Sequence, residues 1–176
     1  MSGGKPGAGS VGGTGEATGL TETLTVEPLT AALSERVLRL EVTPAQSRFV
    51  ASNSASLEDY RAEPDLRPFA ILADGAVVGF AMYEESPDDD GTIEFNIFRL
   101  MIDRRHQGRG YGRRALEMLI ARLLADPRPR RITTCFVPGN EVARRMYASL
   151  GFVETEVDED GEIIAELVAR LSGRRG

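Results

Sequence analysis

The six residues Gln107-Gly108-Arg109-Gly110-Tyr111-Gly112 have the composition of a phosphate cradle. Glycines let a backbone approach an anion closely, and here they stand between a strand-like run, 96–103, and a helix-like run, 113–124. A helix opened by such a turn points its first N–H groups, which have no partner inside the helix, toward the anion. Its dipole adds about half a positive charge at the same end. Taken alone, a Gly-x-Gly turn can also be only a tight loop. A second chemistry-bearing stretch is acidic, Glu84-Glu85-Ser86-Pro87-Asp88-Asp89-Asp90-Gly91, and reads either as a solvated connection or as an attractor of cationic substrate.

Composition narrows the function classes. A formal net charge of -6 argues against generic nucleic-acid binding, which needs a basic surface, and is compatible with a cationic small-molecule partner. The one cysteine, Cys135, leaves no internal disulfide and suits a reducing cytoplasm. With His106 the sole histidine, a conventional zinc site is not expected, so no metal is assigned. No apolar run approaches the ~20 residues of a membrane span, so no membrane association is expected. Residues 1–20 form a Gly/Ser-rich tail expected to be disordered. Residues 21–172 would form one domain, and 173–176, with Arg174 and Arg175 following Arg170, a flexible, solvated terminus.

The elements that must hold the cradle follow from periodicity. Thr23 to Leu29 alternates as a first strand, and Thr30 caps a helix reaching about Leu40. Pro44 suits the first turn of another helix that turns Phe49 and Val50 inward, and Ser56 would cap a short helix ending near Pro64 to Pro68. Phe69 to Ala73 and Val77 to Tyr83 read as a hairpin across Asp74-Gly75. A long strand, Thr92 to Asp103, empties into the glycine turn. The amphipathic helix beyond it buries Ala115, Leu116, Leu119, Ile120 and Leu123, and ends at Pro127 and Pro129. Arg131 to Val137 is a fifth strand, Asn140 opens a helix to about Leu150, and Phe152 to Asp158 and Glu162 to Ala169 close the chain across Asp160-Gly161. The order β-α-α-β-β-β-α-β-α-β-β is an α/β arrangement, a mixed sheet with helices on its faces.

Two segments together resemble the GCN5-related N-acetyltransferase (GNAT) family. Gln107, Gly110 and Gly112 match its central signature, and Asn140, Ala143, Tyr147, Gly151 and Phe152 match its second, Asn-x-x-Ala-x-x-x-Tyr-x-x-x-Gly-Phe. The stretches Leu40-Glu41-Val42, Phe49-Val50-Ala51, Val78 to Tyr83 and Arg99 to Asp103 are similar to the bacterial spermine/spermidine acetyltransferase branch. The resemblance implies a mostly antiparallel sheet of six to seven strands with a splayed central pair, flanked by about four helices. It implies acetyl transfer from acetyl-CoA to a primary amine, most simply a polyamine, by direct attack in a ternary complex. Other amines (an antibiotic amino group, an amino acid, a protein N-terminus) and a non-catalytic acyl-CoA-binding module are the alternatives. Family members are often dimers, so a homodimer is possible.

Site residues follow from the same resemblance. Backbone N–H groups of Gly108, Gly110, Tyr111 and Gly112 would hold the pyrophosphate, with Gln107 opening the turn and Arg109 and Arg113 adding charge-assisted contacts. The backbone of Leu100, Met101 and Ile102 would line the pantetheine arm, and one of those N–H groups would bond the thioester oxygen. Asn140 would contact the cofactor near that arm. Tyr147 aligns with the general acid that protonates the departing thiolate. Where some relatives carry a basic glutamate, this chain has Asn96, Phe98 and Cys135, which leaves Glu94 as the candidate base. Glu41 and Glu84 are candidate substrate-binding acids, and a water chain is the alternative base.

Overall fold

Two-residue turns, bulges and helix caps fix how these segments meet. The computed structural model describes residues 22–87, 91–128 and 130–168. The glycine-rich tail, Asp88 to Asp90, Pro129 and the terminal arginines lie outside them. Seven strands, β1 (Leu24–Pro28), β2 (Leu66–Ala73), β3 (Ala76–Pro87), β4 (Ile93–Ile102), β5 (Arg130–Phe136), β6 (Phe152–Val157) and β7 (Ile163–Leu167), form one sheet in the order β1-β2-β3-β4-β5-β7-β6. Every neighbouring pair is antiparallel except β4 and β5. The Asp74-Gly75 hairpin joins partners Ala73 and Ala76, and both turn residues take positive φ, 46° and 78°. That backbone matches the right-handed twist of the flanking strands.

Helices α1 (Ala31–Val37) and α2 (Asn53–Ala62) cover one face, where Val37 and Leu57 join Leu66, Phe80, Met82 and Met101 in a core cluster. Helices α3 (Tyr111–Leu124) and α4 (Glu141–Ser149) cover the other, where Ala115, Leu116, Leu119, Ile120 and Leu123 are buried as their spacing requires. Thr30 caps α1, its hydroxyl accepting from Leu33 N–H at 3.3 Å.

Three expectations are corrected. No helix forms after Pro44: residues 44–49 are turns, held by Gln46 N–H to Thr43 O and Phe49 N–H to Gln46 O. Helix α2 is capped by Ser52 instead of Ser56, which is buried within it. Glu84 to Pro87 are strand, not connection, because they pair with Ile93 to Asn96 and so complete the β3–β4 ladder.

Candidate active site

The site grows out of a defect in β4. Met82 pairs with Arg99 and Tyr83 with Ile97, so Phe98 is an extra residue without a β3 partner, a β-bulge. The bulge swaps faces: Phe95 and Ile97 point to the α3 core before it, Leu100 and Ile102 after it. Pairing with β5 ends at the same level, running only from Ile93 to Ile97 against Arg130 to Thr134. From Phe98 to Ile102, β4 is open on the β5 side.

The register says which backbone groups face the opening. Asp103 N–H bonds Val78 O at 2.8 Å, and Ile102 lies opposite Gly79. Hydrogen-bonded pairs alternate in an antiparallel ladder, so Met101 also turns its backbone toward β3, while Leu100 and Ile102 turn N–H and C=O into the splay. Met101 lines the cavity as Leu100 and Ile102 do, but its backbone pairs with β3 and its side chain is buried in the α1–α2 core. Gly79 makes the close approach of β3 possible, since a Cβ there would stand 2.6 Å from Met101 O.

At the end of β4 the chain turns through Gly108 and Gly110, with φ of 77° and 76°. Gly110 is the N-cap of α3 and supplies no side-chain cap, so the N–H groups of the first turn are left for a ligand. A Cβ on either glycine would meet no protein atom within 4 Å, so the cradle opens onto free space. The cavity beside it measures about 570 Å³ and is lined by Leu100, Met101, Ile102, His106, Gln107, Gly108, Gly110, Tyr111, Gly112, Arg113, Asn140 and the α1–α2 loop residues Val42, Gln46, Phe49 and Val50. Shape and donors fit an extended ligand with a phosphate head. Tyr111 contributes backbone only: its ring is core and its hydroxyl donates to Glu22. Arg113 is engaged by Glu117 at 2.9 Å and Ser149 at 2.5 Å, and Arg109 is exposed beside the Tyr111 hydroxyl. Asn140 Oδ1 caps α4 through Ala143 N–H at 3.2 Å.

Two side chains, neither assigned this task from sequence, hold the loop after β4. Gln107 Nε2 donates to Ile102 O at 2.9 Å and to Gln46 Oε1 at 3.0 Å. Asp103, 1% exposed, accepts from Glu41 N–H at 3.1 Å, from Arg105 N–H at 2.9 Å and from the Arg105 guanidinium at 2.8 and 3.1 Å. Burial alone would raise its pKa, but these hydrogen bonds win and hold the carboxyl at about 2.

Tyr147 sits behind the splay, buried between Phe136 and Phe152 with ring centroids 5.8 and 5.5 Å away. Burial pushes its phenol up to about 12, a hydrogen bond with Thr134 opposing it. Thr134 is itself fully buried and donates to Ile97 O at 2.7 Å, at the last paired rung before the strands part. A smaller chamber of about 60 Å³ adjoins the cavity, sharing Phe49, Val50, Leu100 and Asn140 with it and lined also by Phe98, Arg99, Cys135, Phe136, Tyr147 and Glu162 among others.

The three candidate acids are not brought to this place. Glu94 lies four residues before Phe98, roughly 13 Å along the strand, and its carboxylate is held by Thr133 Oγ1 at 2.6 Å and Arg131 at 2.5 Å. Glu41 is exposed and pairs with Arg104 at 2.9 Å. Glu84 is on β3, opposite Asn96 and one strand removed from the splay. The acid that does line the chamber is Glu162, which only the β6–β7 pairing brings to β5. No group of three His, Cys, Asp or Glu side chains able to hold a metal occurs among the described residues.

Residues 34–152 match the family model described as the Acetyltransferase (GNAT) family. Among curated proteins, the chain is 32% identical over 130 residues to spermine/spermidine N(1)-acetyltransferase of Bacillus subtilis (strain 168), covering 72% of this chain and 86% of that one. Among solved structures, an acetyltransferase of Thermus thermophilus superposes with a TM-score of 0.65 at 21% identity, over 82% of this chain and 96% of that one. Arabidopsis thaliana Naa50, solved with the bisubstrate analogue CoA-Ac-MVNAL, gives 0.60 at 16% identity over 81% and 96%. At these identities the structural likenesses speak for the fold.

Proposed function

The chain belongs to the acetyltransferase (GNAT) family, and from that premise we propose that it acetylates a primary amine of a polyamine such as spermidine or spermine by direct attack in a ternary complex. The observation that carries this reading is the coincidence, around two adjoining cavities that share Phe49, Val50, Leu100 and Asn140, of the open β4 edge, the uncapped N-terminus of α3 and the buried Tyr147. The similarity to the Bacillus polyamine enzyme supports the acceptor class.

Acetyl-CoA, when bound, supplies an activated acetyl thioester. The N–H groups at Gly108 to Gly112 and the α3 dipole favour its pyrophosphate, and Arg109 and Arg113 are within the same turn. Leu100 and Ile102 offer backbone donors to the splay; a donor preset toward a developing oxyanion is typically worth about 3–4 kcal/mol. Tyr147, kept protonated by burial, holds the proton that the sulfur needs on leaving. Apolar walls from Phe49, Val50 and Phe98 keep water away from the reacting groups. The attacking nitrogen must be neutral, which costs an alkylammonium about 4–5 kcal/mol at pH 7.

Arg99 favours a second reading. Its guanidinium lines the small chamber, held over the Phe98 ring at 4.7 Å and by Phe98 O at 3.1 Å. A cation there suits an acceptor that carries a carboxylate beside its amine. The test is thiol release from acetyl-CoA across spermidine, spermine, putrescine, lysine, an aminoglycoside and an N-terminal peptide. Saturable turnover on polyamines supports the first reading; turnover confined to free lysine replaces it with the second.

A further inference from the structure

We propose that Glu162, presented by the β6–β7 hairpin beside the β4–β5 splay, receives an ammonium group of the acceptor other than the attacking amine and makes the site selective for amines that carry a second cation; this rests on the acetyl-transfer reading above. Among the described residues lining the small chamber, Glu162 is the one carboxylate, and it shares that chamber with Tyr147. Phe49, Val50 and Phe98 give the chamber apolar walls, Asn140 and Cys135 polar ones, and the Arg99 guanidinium is the cation that shares it. An ammonium entering such a place loses hydration and needs a counter-charge within it.

The hairpin fixes where that counter-charge stands. Glu162 N–H donates to Asp158 Oδ1 at 2.8 Å, Asp158 N–H returns to Glu162 O at 3.0 Å, and Gly161 N–H closes onto Asp158 O at 3.1 Å. Gly161, at φ 82°, allows the turn, and β7 then pairs with β5 so that Ile164 lies opposite Cys135. Burial, with the Glu162 carboxylate beside it, pushes the Cys135 thiol up to about 12 and keeps it protonated. A carboxylate beside that neutral thiol has lone pairs free for a substrate N–H.

Glu162→Gln keeps the shape and removes the charge; Glu162→Asp keeps the charge. Both are compared with wild type using acetyl-CoA and the acceptor that wild type turns over best, together with a monoamine bearing an uncharged tail. The Gln variant is expected to raise the KM of the cationic acceptor about 10- to 100-fold, the size expected for losing a charge-assisted contact, with acetyl-CoA KM and melting temperature unchanged. The Asp variant should recover most of that loss. An acceptor KM unmoved in the Gln variant, or a parallel rise in acetyl-CoA KM, overturns the proposal. If wild type prefers a cationic amine other than a polyamine, the polyamine reading falls while Glu162 is judged on that amine. If polyamines are turned over with KM indifferent to the Gln variant, Glu162 falls and the polyamine reading stands.

Discussion

Gln107 Nε2 lies 3.0 Å from Gln46 Oε1, joining the first residue of the cradle to the loop between α1 and α2. Gln46 Oε1 also accepts from the Thr43 N–H and hydroxyl, at 3.0 and 2.9 Å, so one amide oxygen organises the loop that carries Phe49 and Val50 over the splay. This polar contact therefore links the lining of both chambers. Gln107→Ala is expected to raise the KM for acetyl-CoA and for the amine together, each by about 5- to 20-fold, since it frees a partly buried hydrogen-bonded pair. Steady-state kinetics with each substrate varied would show it; a change confined to one substrate would refute the coupling.

Tyr147→Phe deletes one hydroxyl from a buried, stacked ring. Turnover should fall about 10²- to 10³-fold while CoA affinity, measured by calorimetry, stays within about twofold. Because burial raises the phenol to about 12, wild-type kcat should show no decline as pH rises through 10, the ordinary tyrosine value. An alkaline fall centred near 10 would indicate that a different, exposed group supplies the proton.

Asp103 ties acid stability to the site. Its carboxyl is held at about 2 in the folded chain against an ordinary value of 3.8. A depressed carboxylate stabilises the fold above its ordinary pKa, and that contribution is lost as pH falls from about 4 to 2. Asp103→Asn should therefore be less stable than wild type by about 1–2 kcal/mol at pH 7, with the gap closing below pH 4. Urea titrations at pH 7 and pH 3 measure both ends; a gap of constant size would exclude the carboxylate as its source.

Glu94→Gln discriminates the two views of the base. With Glu94 committed to Thr133 and Arg131 well before the bulge, kcat should change by less than about tenfold, whereas loss of a working general base costs ~10² or more. A large kcat loss with a flattened acidic limb of the pH profile would return Glu94 to the chemistry.

What the chain determined locally, it announced locally. The Asp74-Gly75 turn, the Thr30 cap, the apolar stripe of α3 and the glycine cradle each depend on residues within a few positions of one another, and all form as their chemistry requires. Helix α2 shows the limit of such reasoning, since Ser52 and Ser56 are equivalent caps until tertiary packing buries one of them. Candidate acids chosen by sequence proximity, Glu41, Glu84 and Glu94, fall outside the chamber because the bulge at Phe98 and the parting of β4 from β5 decide which face and which level of the sheet is open. The clamps of Asp103 on Glu41 N–H and Gln107 on Gln46 span 62 and 61 residues, and Glu162 reaches the splay only through the pairing of β7 with β5. Contacts of that separation leave no local periodicity to detect, so the glycine turn was legible in the sequence, while the place of Glu162 beside the splay was decided only by the fold.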